Sequence, residues 1–287
     1  MENDLTKYNE FLRKARNYLK SKQYKNARLM YFQAQNFIHD STNKAIIWAE
    51  LSWVYYYEKD YQKAIEAAEN VLIYDNQYSA LDDLYRVQGY AYLANKNYNL
   101  AEKYLTLSLE NNTSDDKQQF VKYELAKLYF RQGNYDLSYP YFNEILNFFY
   151  KFNQEYTLST LFYLGFIHYY LQNKIQSRRN FEEILKFKPS SQRKASAYFG
   201  LAFLEFQERN YLNVVSLCEK IMMLDDNFFD RESVGFLTAA SYYYLGRKDI
   251  FNEYFQKMMK VYPDGRYKNE LEKLHRQDFN KEIESPD

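Results

Sequence analysis

The side chains able to do chemistry are few and scattered. The 287-residue chain carries three histidines, His39, His168 and His275, and one cysteine, Cys218. A metal-binding helix needs two histidines one turn apart, and none of the three has such a neighbour. Neither a Gly-rich phosphate loop nor a Gly-x-Ser-x-Gly elbow occurs. Cys218 falls on the apolar face of a predicted helix, where a thiol is buried and inert. A lone cysteine also excludes an intramolecular disulfide framework and a multi-cysteine zinc site. Adjacent carboxylates stand at Asp82-Asp83, Asp115-Asp116 and Asp225-Asp226. Such a pair can act as acid and base, but all three lie in or beside helix starts, where the helix dipole favours negative charge, so they read as caps. No metal and no cofactor is expected, and the chain is not expected to be an enzyme.

The elements that hold these residues are helices. With only 7 glycines and 4 prolines, the chain lacks the turn punctuation of a large β fold. Lysine plus arginine equals aspartate plus glutamate at 38 each, so no excess positive field would hold nucleic acid. The stretch from Arg13 to Arg28 is locally basic and reads either as a contact for an anionic partner or as a solvated face. The first twelve residues interleave Glu2, Asp4 and Glu10 with apolar residues, so no secretory signal is expected and a cytoplasmic location is. The longest uncharged run, Tyr156 to Asn173, contains Thr157, Ser159, Thr160, His168, Gln172 and Asn173. Lipid could not satisfy those groups, so the run reads as a helix buried between helices and no membrane span is expected.

A repeat organises the whole chain. The seed Lys-x-Tyr-x-x-Ala places Tyr24 with Ala27, Tyr61 with Ala64, Tyr98 with Ala101 and Tyr135 with Ser138, each 37 residues on. A step of 39 reaches Lys174 and Ser177, and steps of 37 then resume to Tyr211 with Val214 and Lys248 with Phe251. Nine residues before each seed position stands a small residue: Ala15, Ser52, Gly89, Ala126, Gly165, Ala202, Ala239. Two helices crossing closely leave no room for more. A third column reads Tyr18, Tyr55, Tyr92, Tyr129, His168, Glu205, Tyr242, and a fourth, mostly bulky, reads Tyr31, Ala68, Leu105, Phe142, Phe181, Cys218, Phe255. Helix-start signals at Asp40-Ser41-Thr42, Ser114-Asp115-Asp116 and Pro189-Ser190-Ser191 separate the repeats. A helical hairpin cannot bury its own apolar face, so the repeats must stack. The irregular step near 149–156 reads as a local bulge or as a hinge between four repeats and three.

These columns resemble the tetratricopeptide repeat family, most clearly in Trp48, Leu51, Ser52, Tyr55, Tyr61, Ala64 and in Leu161, Leu164, Gly165, Phe181, Pro189. The repeat is a few residues longer than is usual in that family, and repeats six and seven replace the second-helix alanine with Val214 and Phe251. The resemblance implies an all-α, right-handed solenoid of about seven hairpins over residues 8–268, with repeats starting near Tyr8, Ala45, Asp82, Gln119, Leu158, Ala195 and Glu232. A capping helix and tail would fill 269–287. No further domain is expected before Tyr8 or after the cap.

In that family the first helix of each repeat lines the concave surface. The resemblance therefore implies a protein-binding or peptide-binding groove at Trp53, Tyr56, Tyr57, Arg86, Tyr90, Lys127, Phe130, Arg131, Phe162, Phe166, Tyr169, Tyr170, Phe199, Phe203, Phe206 and Tyr243. Tyrosine and tryptophan dominate binding hot spots, and an exposed apolar strip calls for an occupant. Acidic residues of a partner would meet Arg16, Arg86, Lys127 and Arg131. The alternative is that these aromatics pack against adjacent repeats. A two-carboxylate clamp for chaperone tails is disfavoured, because its lysine and asparagine positions hold Leu12 and Arg16. The expected function is a non-catalytic scaffold or adaptor that holds a peptide or protein segment. The second reading is a structural subunit of a larger secretion, motility or envelope assembly, working through its convex face and edges.

Overall fold

A computed structural model of the chain describes residues 2–111 and 115–283. Ser114 and the side chains of Asp115 and Phe279, which the sequence assigns to a helix start and to the cap, lie outside the described residues. Among those described there are fifteen helices and no strand. Fourteen form seven consecutive pairs. The first three are α1 (Glu2–Lys20) with α2 (Tyr24–Gln35), α3 (Ser41–Tyr57) with α4 (Tyr61–Tyr74), and α5 (Leu81–Ala94) with α6 (Tyr98–Glu110). Then come α7 (Asp115–Arg131) with α8 (Tyr135–Phe152) and α9 (Gln154–Tyr170) with α10 (Lys174–Lys186). The last are α11 (Ser191–Gln207) with α12 (Tyr211–Leu224) and α13 (Arg231–Tyr244) with α14 (Lys248–Val261). The single helix α15 (Lys268–Ile283) buries Leu271 and Leu274 among residues of α13 and α14.

The turn inside every pair has one backbone design. Lys22, Lys59, Lys96, Gly133, Gln172, Arg209 and Gly246 all adopt a left-handed φ between 59° and 76°. The next residue then donates its N–H back to a third-column carbonyl: Gln23 to Tyr18, Asp60 to Tyr55, Asn97 to Tyr92, Asn134 to Tyr129, Asn173 to His168, Asn210 to Glu205 and Arg247 to Tyr242, at 2.8–2.9 Å. This six-to-one bond is the Schellman termination, which satisfies a carbonyl that the ending helix leaves open. The second helix starts at once, on the seed residue. Asp60, Asn97 and Asn173 cap it by accepting the N–H of Lys63, Leu100 and Gln176.

Packing follows the columns. All seven small positions are buried, and so are all seven fourth-column positions. A Cβ on Gly89 would come within 2.6 Å of Leu105, and one on Gly165 within 2.5 Å of the Phe181 ring. Val214 and Phe251 are fully buried too, so the two altered repeats keep an apolar contact where the others have alanine or serine.

The chain divides into two compact units, an N-terminal one ending at Leu128 and a C-terminal one starting at Tyr129. The division falls within α7 and not at 149–156, where the sequence left a local bulge or a hinge open. That stretch lies inside the C-terminal unit, where Phe149 stacks on Tyr156 with ring centres 4.7 Å apart. The extra residues there lengthen α8 to 18, against 13 in α6 and α10. The N-terminal core gathers around Tyr31, Ile47, Leu51 and Val54. The C-terminal core gathers around Phe181, Ile184, Leu204 and Ile221.

Candidate functional site

In the C-terminal unit the first helices present aromatics at helical spacing, so that residues three or four apart meet on one face. They form two layers. Phe166 and Phe199 make the inner layer, 6% and 4% exposed. The ring of Phe166 lies 5.0 Å from Phe162, 5.1 Å from Phe181, and 5.9 Å from both Phe199 and Phe203. This corrects the sequence reading for these two residues: they pack between repeats and support the surface instead of forming it. The outer layer is half-buried and consists of Phe162, Tyr169, Phe203, Phe206 and Tyr243. Edge contacts join it, with Tyr169 and Phe203 at 5.8 Å. Phe130 joins the same unit through Tyr163 at 5.1 Å, and Arg131 beside it is exposed.

One member of this layer escaped the sequence reading. Phe229, in the connection from α12 to α13, is 67% exposed and lies 5.7 Å from Phe199 and 6.2 Å from Phe162. Counting first-helix positions alone omits it. The available signal was a Phe-Phe pair in a connecting segment, whose other half, Phe228, is buried.

Tyr170 is 45% exposed, yet one ring face is taken by Tyr135 at 4.4 Å and 7°. Burial, then the Tyr135 hydroxyl, push its phenol pKa up to about 12. Tyr211 covers Tyr244 in the same way at 4.8 Å, and Tyr24 covers Tyr57 at 5.3 Å. The seed tyrosine of one repeat thus staples the last aromatic of the next first helix.

The corresponding face of the N-terminal unit is built from charge as well as rings. Arg16 donates from Nε and Nη2 to Glu50 at 2.5–3.1 Å, and the Tyr31 hydroxyl donates to the same carboxylate at 2.5 Å. Trp53 donates Nε1–H to Asp83 at 2.7 Å, and Arg86 and Lys117 pair with that same carboxylate. Burial works against the charge on Asp83, but Arg86, Trp53 and Lys117 outweigh it and hold the carboxyl below its ordinary value. The Arg86 guanidinium also lies over the Trp53 ring, 4.8 Å from its centre. Tyr56 and Tyr90 are half-buried beside it, 6.1 Å apart. Lys127 pairs with Glu124 at 2.8 Å.

The expectation that Arg16, Arg86 and Lys127 await a partner's carboxylates is therefore corrected: the chain supplies those carboxylates itself. A hollow of about 470 Å³ stays open on this face, lined by Leu19, Trp53, Tyr57, Lys20 and Lys22 among others.

Among the described residues no group of three or more His, Cys, Asp or Glu could hold a metal ion. Burial pushes the Cys218 thiol up to about 11. Burial pulls the pKa of half-buried His168 down, and its ring meets Tyr139 edge-on at 5.3 Å. No described helix is long and apolar enough to cross a membrane.

No family model matches the sequence, and no curated protein does. Solved structures do. A tetratricopeptide repeat protein from Parabacteroides merdae superimposes with a TM-score of 0.60 at 16% identity, over 94% of this chain and 98% of that one. The C-terminal part of a TPR repeat-containing protein from Cytophaga hutchinsonii gives 0.61 at 14% identity, over 91% and 98%. The pilF protein of Pseudomonas aeruginosa gives 0.59 at 15% identity, over 84% and 99%. At such identities the likeness concerns the fold, and it agrees with the helix pairs, the small-residue column and the Schellman turns: the chain is an all-α repeat solenoid with the tetratricopeptide repeat fold.

Proposed function

We propose that the chain is a non-catalytic protein-binding scaffold, and that the first-helix face of its C-terminal unit holds a peptide or protein segment by apolar anchors. The observation that carries this reading is the two-layer arrangement of rings. Phe162, Tyr169, Phe203 and Phe229 keep accessible surface while Phe166 and Phe199 fix them from beneath. Stiff, pre-positioned aromatics lose little conformational freedom when a partner covers them, which is why they serve as hot spots. Of the residues named from the sequence, Phe130, Phe162, Tyr169, Tyr170, Phe203, Phe206 and Tyr243 remain the proposed contacts here, and Phe229 is added. In the N-terminal unit Trp53, Tyr56, Tyr57 and Tyr90 form a smaller proposed contact, with Lys20 and Lys22 available to an acidic side chain. The equal numbers of acidic and basic residues favour protein over nucleic acid as the partner.

The test is affinity capture from native lysate with Tyr169→Ser/Phe203→Ser/Phe229→Ser beside the wild type, both checked for equal helicity. Loss of the same few proteins from the variant is the expected result. Retention of all of them removes the first-helix face of the C-terminal unit from consideration. It would favour an assembly surface on second helices, where Ile175 and Leu212, 69% and 73% exposed, occupy the same position of successive repeats.

A further inference from the structure

Three residues into each first helix, counted from the repeat starts, the chain places a large side chain in six repeats of seven: Phe11, Trp48, Tyr85, Lys122, Leu161 and Tyr198. The seventh has Gly235. One turn further on, Leu51, Leu125, Leu164 and Leu201 are answered in the seventh repeat by Thr238. In the C-terminal unit Leu161 is buried in the core and Tyr198 is half-buried beneath the Lys220 ammonium. At Gly235 the structure instead has a cavity of about 200 Å³ between α12, α13 and α14. It is separate from the proposed binding face, because none of the proposed contact residues lines it.

The cavity wall has a definite chemistry. Three sulfur-containing residues, Cys218, Met222 and Met258, are among those lining it. Met258 leans against the bare backbone of Gly235, where a Cβ would lie 2.4 Å from its Sδ. Thioethers attract the edges of aromatic rings and adapt their shape to them. Thr238 makes no demand on an occupant, since its hydroxyl already donates to the Val234 carbonyl at 2.8 Å. At the mouth stand two exposed cations, Arg231 and Lys257, and one exposed carboxylate, Glu219. Dry apolar cavities of about 150 Å³ take up benzene, so the space suffices for one ring and a small substituent.

We propose that this cavity is a binding site for a single-ring aromatic carboxylate. The ring occupies the cavity beside Met258, and the carboxylate meets Arg231 and Lys257. The inference does not rest on the scaffold reading, since no first-helix contact residue takes part.

The test uses the full chain labelled at its methionine methyl carbons, with benzoate as probe and benzylamine as its cationic counterpart. Of the six methionines, Met222 and Met258 line the cavity, and Met30 lies in the N-terminal unit. Benzoate should shift the Met222 and Met258 resonances saturably in the roughly millimolar range expected for so small a ligand, and leave Met30 unmoved. Benzylamine should bind several-fold more weakly. Gly235→Tyr, which restores the column, should abolish the response. Lys257→Glu alters only an exposed rim residue and should reverse the preference between the two probes, which decides the matter even if Gly235→Tyr folds poorly. Absence of a saturable shift, an undiminished response in Gly235→Tyr, or equal binding of both probes by the wild type would each overturn the assignment.

Discussion

The two compact units carry the same repeat and solve the same problem differently. Each must join successive first helices along one face. The N-terminal unit does so with hydrogen-bonded charge, running from Arg16 to Glu50 and from Trp53 through Asp83 to Arg86 and Lys117. The C-terminal unit does so with edge-packed and tilted rings, Phe162, Phe166, Phe199 and Phe203, the first two also against Phe181. The difference teaches that the repeat columns specify how helices cross, while the face they create is free in its chemistry. A charged ladder satisfies itself and leaves little for a partner. An aromatic one leaves area exposed and invites an occupant.

The sharpest way to break the comparison is to remove its aromatic pivot. Phe181 is fully buried against both Gly165 and Gly200, where added Cβ atoms would approach its ring to 2.5 and 2.3 Å. Phe181→Ala should cost ~3–5 kcal/mol in urea unfolding, through the lost burial of the ring and the void it leaves beside two side-chain-free glycines. In the same column of the N-terminal unit, Tyr31→Phe should cost only ~1 kcal/mol, the hydroxyl bond to Glu50.

Next in size is the charged ladder. Asp83→Ala strands the Trp53 indole and the Arg86 guanidinium together and should cost ~1–3 kcal/mol. That cost should shrink in high salt, whereas the Phe181→Ala cost should not.

A smaller, pH-dependent effect comes from His168 in the C-terminal unit. His168 has a depressed pKa in the folded chain, so the unfolded chain binds the proton more readily. Stability from this group is present above its unfolded pKa and is lost as pH falls through and below that value. Thermal unfolding followed downward from neutral pH should show the decline, and His168→Gln should flatten it.

The smallest effect should erase the comparison. Lys59 in one unit and Arg209 in the other hold φ at 65° and 63° in the same turn. Lys59→Gly and Arg209→Gly should each raise stability by about 0.5–1 kcal/mol, since glycine adopts that conformation without a Cβ clash. Unequal results would mean that the two turns differ beyond their backbone.

Much of the fold was visible in the sequence because packing leaves periodic marks. Seed positions such as Tyr24 and Tyr211 stand at the first residue of second helices, and the small column lies at the crossings. The turn chemistry was hidden. Lys22, Lys59 and Lys96 look like solvated charges, and their left-handed φ comes from the Schellman bond, not from any preference of lysine. Gly200 was hidden because it lies outside the small column and faces the Phe181 ring from the following repeat. The face itself was visible only by type. First-helix aromatics could be counted, but which ones lie beneath others depends on ring placement between repeats, so Phe166 and Phe199 looked no different from Phe162 and Phe203. The neutralised arginines were missed because Glu50 lies 34 residues from Arg16, and nothing in a single helix links them.

The indole of Trp53 gives the molecule an optical property. The chain has two tryptophans, and both Trp48 and Trp53 lie in the N-terminal unit. Long-wavelength excitation therefore illuminates that unit alone, while the other emits only through tyrosine. Because the Trp53 ring carries a guanidinium on its face and a carboxylate on its nitrogen, its emission colour should register the state of the Asp83 ladder. Without any added dye, one half of the chain reports on itself, and the same spectrum is blind to whatever the other half holds.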